Sequence, residues 1–305
     1  MVAMTSEKRF RDIFRWAHAR HPQCLRDEWL SEPCRDPRGR AVARPLVWSR
    51  RNGPWHPVEI LWVGAAPGNA GGRGSGKLGA HGTRIPFGGD VAGANLDVLL
   101  GSIGLTRNDT FITAALNQLP QSGGGEPTFM ELSEPAGDFP SSLHLLRATM
   151  LAARAKLIVA LGNVGVRALI AAARLASAGL ALPSKARLEK AGLARGRAIE
   201  WPEAIPADSD FAREWQADNL PHILWLTHPS AQNMSPYAGK HTLFHARMVD
   251  TRAALRQAVR ATLGWRLPEE RQPYPQTGIY GLKEWRELIG PRHEQLDRLW
   301  RAKGL

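Results

Sequence analysis

The sequence predicts an α/β fold, a three-layer α/β/α sandwich with a four-stranded parallel central sheet. Four short apolar runs with high strand propensity indicate the strands, at residues 58–64, 110–116, 156–162 and 222–228. Each run is continuously apolar, as is typical of strands buried on both faces. Helical patterns lie between and after the runs, at residues 93–103, 141–155, 164–175 and 240–263. Strands that alternate with helices favour a parallel sheet with helices on both faces.

Composition divides the chain into three predicted parts. An N-terminal helical segment at 1–54 precedes the α/β domain at 55–264, and a Pro-rich extension with a helix occupies 265–305. No apolar run approaches the roughly 18 residues that indicate a transmembrane helix. The N-terminus also lacks the apolar core of a signal peptide. We therefore expect a cytoplasmic protein without membrane contact.

Charge and cysteine content narrow the possible partners and cofactors. The formal net charge of +12 favours a polyanionic partner, nucleic acid first, although a general arginine bias would give the same number. The chain has only two cysteines, Cys24 and Cys34. Two thiols cannot by themselves fill a four-ligand zinc site or an iron–sulfur cluster. We expect neither a metal nor a cofactor.

The glycine-rich run at residues 71–77 nearly matches the phosphate-binding loop G-x-x-x-x-G-K. Leu78 stands where the Mg²⁺-binding Ser or Thr of such a loop belongs. In a P-loop the strand leads straight into the loop, and the lysine opens a helix. Here the predicted strand ends near Gly64, and no helical pattern begins at Lys77. A P-loop nucleotide-binding protein is therefore the less favoured interpretation.

Polar and turn residues gather after the predicted strands. The first strand leads into the Gly/Pro turn 64–68, the second into Asn117, and the fourth ends with His228. Ligands of open parallel α/β sheets bind beyond the carboxyl ends of the strands, so we expect one crevice shared by these residues. His228 has a structural alternative, the capping of a helix that begins at Pro229. The convergence of several polar groups favours a functional site.

Five motifs in sequence order make the chain resemble the uracil-DNA glycosylase superfamily over roughly residues 55–260. They are GAAPG at 64–68, IPFGG at 85–89, FITAALNQLP at 111–120, LIVALG at 157–162 and HPSAQN at 228–233. The segments 158–170 and 194–202 are similar to the iron–sulfur bacterial enzymes called family four. The runs ALNQLP and HPSAQN are more similar to the single-strand-selective monofunctional family. Family four places a second cysteine pair near Gln118 and near 145–150, where this chain has none, so we predict no cluster.

The resemblance implies a role for each matched residue. His228 is the electrophile that hydrogen-bonds uracil O2 as negative charge accumulates, and Asn117 reads the base at N3–H and O4. Phe87 stacks on the flipped base, with a core aromatic as the alternative. The matched turn contributes substrate contacts through Gly64, Ala65, Ala66, Pro67 and Gly68.

The position of the nucleophilic water is less well indicated. Superfamily members commonly carry a polar side chain in G-x-x-P-G that positions this water, where the chain has Ala65 and Ala66. Either a backbone carbonyl of the loop or a residue outside the motif then holds the water. The nearest candidates are Asp90 and Asn69, with Asp90 slightly ahead.

Extrusion of a base from the DNA stack requires contacts beyond the base pocket. The segment after His228 is positioned to contact DNA and to wedge into the vacated space, through Ser230, Gln232, Asn233, Met234 and Tyr237. In the glycine-rich loop, Arg73, Lys77 and Arg84 are candidates for phosphate contacts.

The resemblance therefore implies a monofunctional uracil-DNA glycosylase of base excision repair. We expect a monomer that acts on uracil-containing DNA, single- or double-stranded. A catalytically weak or inactive uracil- or DNA-binding member of the same fold is the alternative, because Ala65 and Ala66 replace the usual polar residue.

Overall fold

The structure of the protein, a computed structural model, describes most of the chain. The described residues are 6–18, 34–35, 40–46, 49, 56–70, 77–78, 86–87, 91–121, 126–136, 139–175, 182–190, 192–193, 195–200, 210–215, 220–230, 234–235 and 246–269.

A five-stranded sheet forms the centre of the fold. Across the sheet its strands are β6 (Phe111–Ala114), β3 (Ile60–Gly64), β7 (Leu157–Leu161), β9 (His222–Leu226) and β8 (Ala198–Ile199). The first four pair in parallel, and β8 pairs antiparallel with β9. The α/β class and the parallel core of the sheet are confirmed, but the predicted number of four strands is wrong.

Strand β8 was not predicted, because two residues are too few to show a periodic pattern of apolar residues. It forms because the edge of β9 offers backbone groups that need hydrogen-bond partners. The N–H of Gly196 extends this pairing, donating to the carbonyl of Trp225 at 2.7 Å.

In the described part of the chain, three pairs of two-residue strands lie outside the central sheet. They are β1 (Cys34–Arg35) with β2 (Ala41–Val42), β4 (Asn69–Ala70) with β5 (Lys77–Leu78), and β10 (Met234–Ser235) with β11 (Ala246–Arg247). The pairing of β11 also corrects the helix predicted over 240–263. That helix begins only at Met248, because the two preceding residues are extended and paired.

The described helices are α1 (Ser6–His18), α2 (Val91–Ser102), α3 (Phe129–Ser133), α4 (Ser142–Ala153), α5 (Gly162–Ala173), α6 (Lys185–Lys190), α7 (Asp210–Trp215) and α8 (Met248–Leu263). Local sequence sets several of their ends. The Ser141 hydroxyl caps α4 by accepting from the N–H of His144, and Arg154 ends the helix with a left-handed φ of 51°. None of the described helices is long and apolar enough to cross a membrane.

Successive residues of the strands join two different hydrophobic clusters. In β3, Leu61 and Val63 belong to a cluster with residues of α1, α4 and α5, whereas Ile60 and Trp62 belong to a cluster with residues of α2 and α8. Side chains of a strand alternate between its faces, so both faces of the sheet are covered by apolar residues. This double burial explains why the strands lack a polar–apolar alternation.

Helix α5 packs unusually close to the sheet. A Cβ atom built on Gly165 would lie 2.8 Å from the carbonyl oxygen of Val63, so only glycine fits at this crossing. The contact brings the first turn of α5 to the carboxyl end of β3. The predicted domain boundaries after residues 54 and 264 stay predictions.

Candidate active site

The carboxyl ends of the parallel strands form one edge, at which β3 and β6 remain paired beyond their last residues. The N–H of Ala115 donates to the carbonyl of Gly64 at 2.9 Å, and that of Leu116 to the carbonyl of Ala65 at 3.0 Å. This continued pairing places Asn117 beside the turn that follows β3. His228 comes two residues after the end of β9 and lies at the same edge.

The ring of Phe87 lies directly on the backbone of Gly64. A Cβ atom at Gly64 would be only 2.5 and 2.6 Å from two ring atoms of Phe87. The same ring is next to the His228 imidazole, with centroids 5.6 Å apart and planes inclined by 35°. Phe87 has a left-handed backbone conformation, with φ of 56°, which is uncommon for an aromatic residue.

The His228 ring is held in one tautomer by its own turn. The backbone N–H of Ser230 donates to Nδ1 of His228 at 3.2 Å. A ring nitrogen that accepts carries no hydrogen, so the neutral imidazole carries its hydrogen on Nε2. Pro229 and Ser230 are not helical, so the alternative of a helix cap at this histidine is wrong.

Two neighbours fix where the His228 turn lies. Gly162, with φ of 81°, opens α5, and a Cβ atom there would lie 3.0 Å from Cβ of His228. The Asn95 side chain of α2 is buried and donates through Nδ2 to the carbonyl of Pro229 at 2.6 Å. The histidine is therefore packed against one helix and tied to another.

Asn117 is buried, with only 1% of its surface exposed, and has an open acceptor. Its Oδ1 atom has no hydrogen-bond partner among the described residues, and its Nδ2 makes only a long bond of 3.4 Å to the carbonyl of Ala114. An unsatisfied buried polar atom costs about 1–3 kcal/mol, so the side chain is poised for a ligand that donates to Oδ1.

The main chain of Asn117 is braced by the N-terminal segment. Its carbonyl accepts from the N–H of Ala43 at 2.7 Å, and the Thr113 hydroxyl of β6 donates to the carbonyl of Pro45. Sequence reasoning missed this brace because residues 40–46 carry no motif.

Comparison with known families assigns this arrangement. The family model of the uracil DNA glycosylase superfamily matches residues 52–252. The chain belongs to the uracil DNA glycosylase superfamily. The match contains the central sheet, Phe87, Asn117 and His228, and it confirms the resemblance inferred from the five motifs. No curated protein matches the chain.

Proteins of the uracil DNA glycosylase superfamily are generally DNA glycosylases, hydrolases that act on DNA. The superfamily thus supports a DNA partner and a role in DNA repair. The segment that braces Asn117 at residues 40–46 lies before the matched range.

Other residues predicted for the glycosylase site are described to different extents. Ala65, Ala66 and Pro67 are half-buried, Gly68 is exposed, and Ser230 is half-buried with its N–H bound to His228. The backbones of Asn69, Lys77 and Met234 lie in the short strands β4, β5 and β10, and their side chains are outside the description. Six predicted residues lie outside the described residues altogether: Arg73, Arg84, Asp90, Gln232, Asn233 and Tyr237.

The near-match to a P-loop has a different structure. Asn69 pairs with Leu78 and Ala70 with Lys77, so the two ends of this segment form an antiparallel ladder. Lys77 lies in a strand, and the next helix among the described residues begins at Val91. The lysine therefore does not open a helix, which a P-loop requires. The family match and this geometry both disfavour the nucleotide-binding alternative.

Three further residues near the site gave no clear signal in the sequence. Asn95 anchors the His228 turn, and the buried Arg107 contacts the Phe87 turn. Arg195 is exposed beside α5, where it donates to Oδ1 of Asn163 at 3.2 Å and stacks over Trp225 at 5.3 Å from the ring centroid. Only Arg195 lay in a segment with a recognisable resemblance, residues 194–202. Among the described residues, no group of three His, Cys, Asp or Glu side chains could hold a metal ion.

Proposed function

We propose that the protein is a monofunctional uracil-DNA glycosylase, built as a three-layer α/β/α sandwich, that flips uracil from DNA and hydrolyses its N-glycosidic bond. One observation carries the proposal. The edge of the sheet combines an imidazole whose Nδ1 accepts a backbone hydrogen bond, which leaves its hydrogen on Nε2, with a buried amide whose acceptor is open, next to an aromatic ring. We further propose a cytoplasmic monomer that needs neither metal nor cofactor.

His228 supplies the stabilisation of the leaving group. As the bond between C1′ and N1 breaks, negative charge moves onto uracil and can be met at O2 by the Nε2 hydrogen. The bond from Ser230 keeps that hydrogen on Nε2 before the reaction begins. A preorganised donor of this kind contributes roughly 2.7–4 kcal/mol, or about 10²- to 10³-fold in rate.

Asn117 supplies the choice of base. Its open Oδ1 can accept from N3–H of uracil, while Nδ2 exchanges its long bond to Ala114 for uracil O4. Cytosine presents the reverse pattern and would leave two mismatched groups, each costing about 1–3 kcal/mol. The Phe87 ring offers the face on which the base stacks.

The water that attacks C1′ has three candidate holders. The carbonyls of Gly64 and Ala65 already accept backbone hydrogen bonds, so among the loop carbonyls we favour that of Ala66. Asp90 and Asn69 remain the side-chain candidates. As the water oxygen bonds to C1′ and the bond from C1′ to N1 breaks, the proton of the water passes to the Asp90 carboxylate where that is the holder, or otherwise to solvent, and uracil leaves as the anion bound by His228.

The test uses an end-labelled oligonucleotide with one deoxyuridine, single- and double-stranded, incubated in EDTA and then treated with hot alkali. We expect cleavage at the uracil, strongly reduced in His228→Ala and Asn117→Ala. His56→Ala and Asn108→Ala are matched controls, because both side chains are exposed and lie away from the carboxyl edge of the sheet. They should retain wild-type activity.

A binding assay with the same labelled oligonucleotide, run beside the cleavage assay, separates the alternative of an inactive binder, which Ala65 and Ala66 favour. Tight binding of uracil-DNA without release of base would establish a binding protein. Cleavage that persists in both site variants would reject the roles given to His228 and Asn117.

A further inference from the structure

Arg107 is a buried residue that joins the Phe87 turn to helix α2. It opens a short 3₁₀ turn, Arg107–Asp109, between α2 and β6, and is only 8% exposed. Its Nε donates to Oδ1 of Asp97 at 2.6 Å. Its Nη1 and Nη2 atoms donate to the carbonyls of Pro86, Phe87 and Gly93 at 3.1, 2.6 and 3.2 Å.

The turn that these bonds hold is both strained and close-packed. Phe87 has a left-handed φ of 56°, a conformation that costs an L-residue roughly 1–2 kcal/mol. A Cβ atom at Gly93 would lie 2.0 Å from the Phe87 carbonyl oxygen, so the turn rests on the bare backbone of α2. Such a conformation persists only where surrounding contacts over-determine it.

We propose that Arg107 is the positioning residue that holds the Phe87 ring over Gly64 and beside His228. It touches the Phe87 main chain and acts on the base only through the ring, so its role in excision rests on the proposed function. Asp97 fixes the guanidinium plane through an ion pair in which the side chains of Arg107 and Asp97 are 9% and 21% exposed. The planar guanidinium group of Arg107, a fork of N–H donors, thereby holds three carbonyls, two in the Phe87 turn and one in α2.

Lysine cannot replace this fork. Its ammonium carries a similar charge but lacks the planar array of donors that reaches a carboxylate and three carbonyls together. In Arg107→Lys the turn should relax, and the ring should leave its place between Gly64 and His228. A displacement of about 1 Å in a positioning group lowers activity by up to about 100-fold, so we expect a 10- to 100-fold loss of kcat with a smaller change of KM.

A double-mutant cycle tells positioning from general destabilisation. If Arg107 acts through the ring, Arg107→Lys should lower kcat in the wild type but have almost no effect in a Phe87→Ala background. The matched control is Arg147→Lys. Arg147 is 9% exposed and likewise bonds a carboxylate, of Glu214, and a carbonyl, of Ala173, but Ala173 is the last residue of α5, far from the site edge.

A second readout does not depend on catalysis. With 4-fluorophenylalanine placed at position 87, the fluorine resonance should shift or broaden in Arg107→Lys and in Asp97→Asn, and should stay unchanged in Arg147→Lys. Asp97→Asn keeps the arginine and serves if the lysine variant does not fold. Should the wild type release no uracil, the proposed function fails while the resonance still decides the role of Arg107. An unchanged resonance in Asp97→Asn and Arg107→Lys, or equal losses of kcat with and without the Phe87 ring, would overturn the proposal.

Discussion

The variant Gly64→Ala adds a single methyl group and should test how the Phe87 ring, on which we propose that the base stacks, is positioned. Gly64 ends the regular strand β3 and has no left-handed backbone, so alanine is compatible with its main chain. The side chain, however, would enter the space of the Phe87 ring, whose nearest atoms would lie 2.5 and 2.6 Å from the new Cβ.

The size of the effect follows from this distance. Carbon atoms pack at about 3.5–4.0 Å, so the ring must retreat by roughly 1 Å. Overpacking of this kind costs about 1–3 kcal/mol in the free energy of unfolding. A Phe87 ring misplaced by about 1 Å should lower kcat/KM by about 100-fold, equivalent to about 2.7 kcal/mol of transition-state stabilisation.

The assay is excision of uracil at substrate concentrations below KM, which gives kcat/KM, with the thermal unfolding midpoint measured in parallel. Gly101→Ala is the control, because a Cβ atom at this exposed position of α2 meets nothing within 4 Å. In a Phe87→Ala background, Gly64→Ala should add little further loss, since the clashing ring is gone. Wild-type kcat/KM in Gly64→Ala, or a full additional loss in the double variant, would refute the geometry.

Three further predictions concern the surroundings of the site. Asn95→Ala removes the bond to the Pro229 carbonyl and should lower kcat about 5- to 10-fold through the His228 turn, with substrate affinity nearly unchanged; equal excision kinetics would contradict this. Arg195→Ala should weaken DNA binding and reduce the slope of log affinity against log salt by about 1, whereas the exposed Arg187→Ala on α6 should not. Burial, and secondarily Arg147, lowers the pKa of His144, so the unfolded state binds its proton at higher pH than the folded state. The wild type should therefore lose stability as the pH falls from about 6.5 through the folded pKa, and the unfolding free energy of His144→Gln should depend less on pH in this range.

The local sequence pattern was sufficient to predict the strands that consist of a continuous apolar run. The apolar runs of β3, β6, β7 and β9 indicated parallel strands, and topology then brought Asn117 and His228 to one edge. Strand β8 could not be predicted, because its two residues are half-buried and pair only where β9 offers an edge.

The supports of the site depend on tertiary contacts that no short window of sequence contains. The bonds of Arg107 span up to 21 residues along the chain, and the bond from Asn95 to Pro229 spans 134. The residues proposed to touch a base follow from the matched motifs, but the residues that hold them are set by how α2 crosses the sheet. From the sequence alone, Arg107 cannot be distinguished from a solvent-exposed arginine in a turn, because its burial depends on that crossing.

In the proposed glycosylase, the brace from residues 40–46 is a means of adjusting base selection that leaves every motif intact. The Ala43 N–H donates to the carbonyl of Asn117, the residue proposed to read the base, and the Pro45 carbonyl accepts from Thr113 in the strand just before it. A substitution in residues 40–46 would shift the Asn117 side-chain amide slightly without changing the identity of Phe87, Asn117 or His228. Divergent or engineered substrate preference would then arise in a segment before the range that the family model matches, and chimeras that exchange only residues 52–252 would leave that control behind.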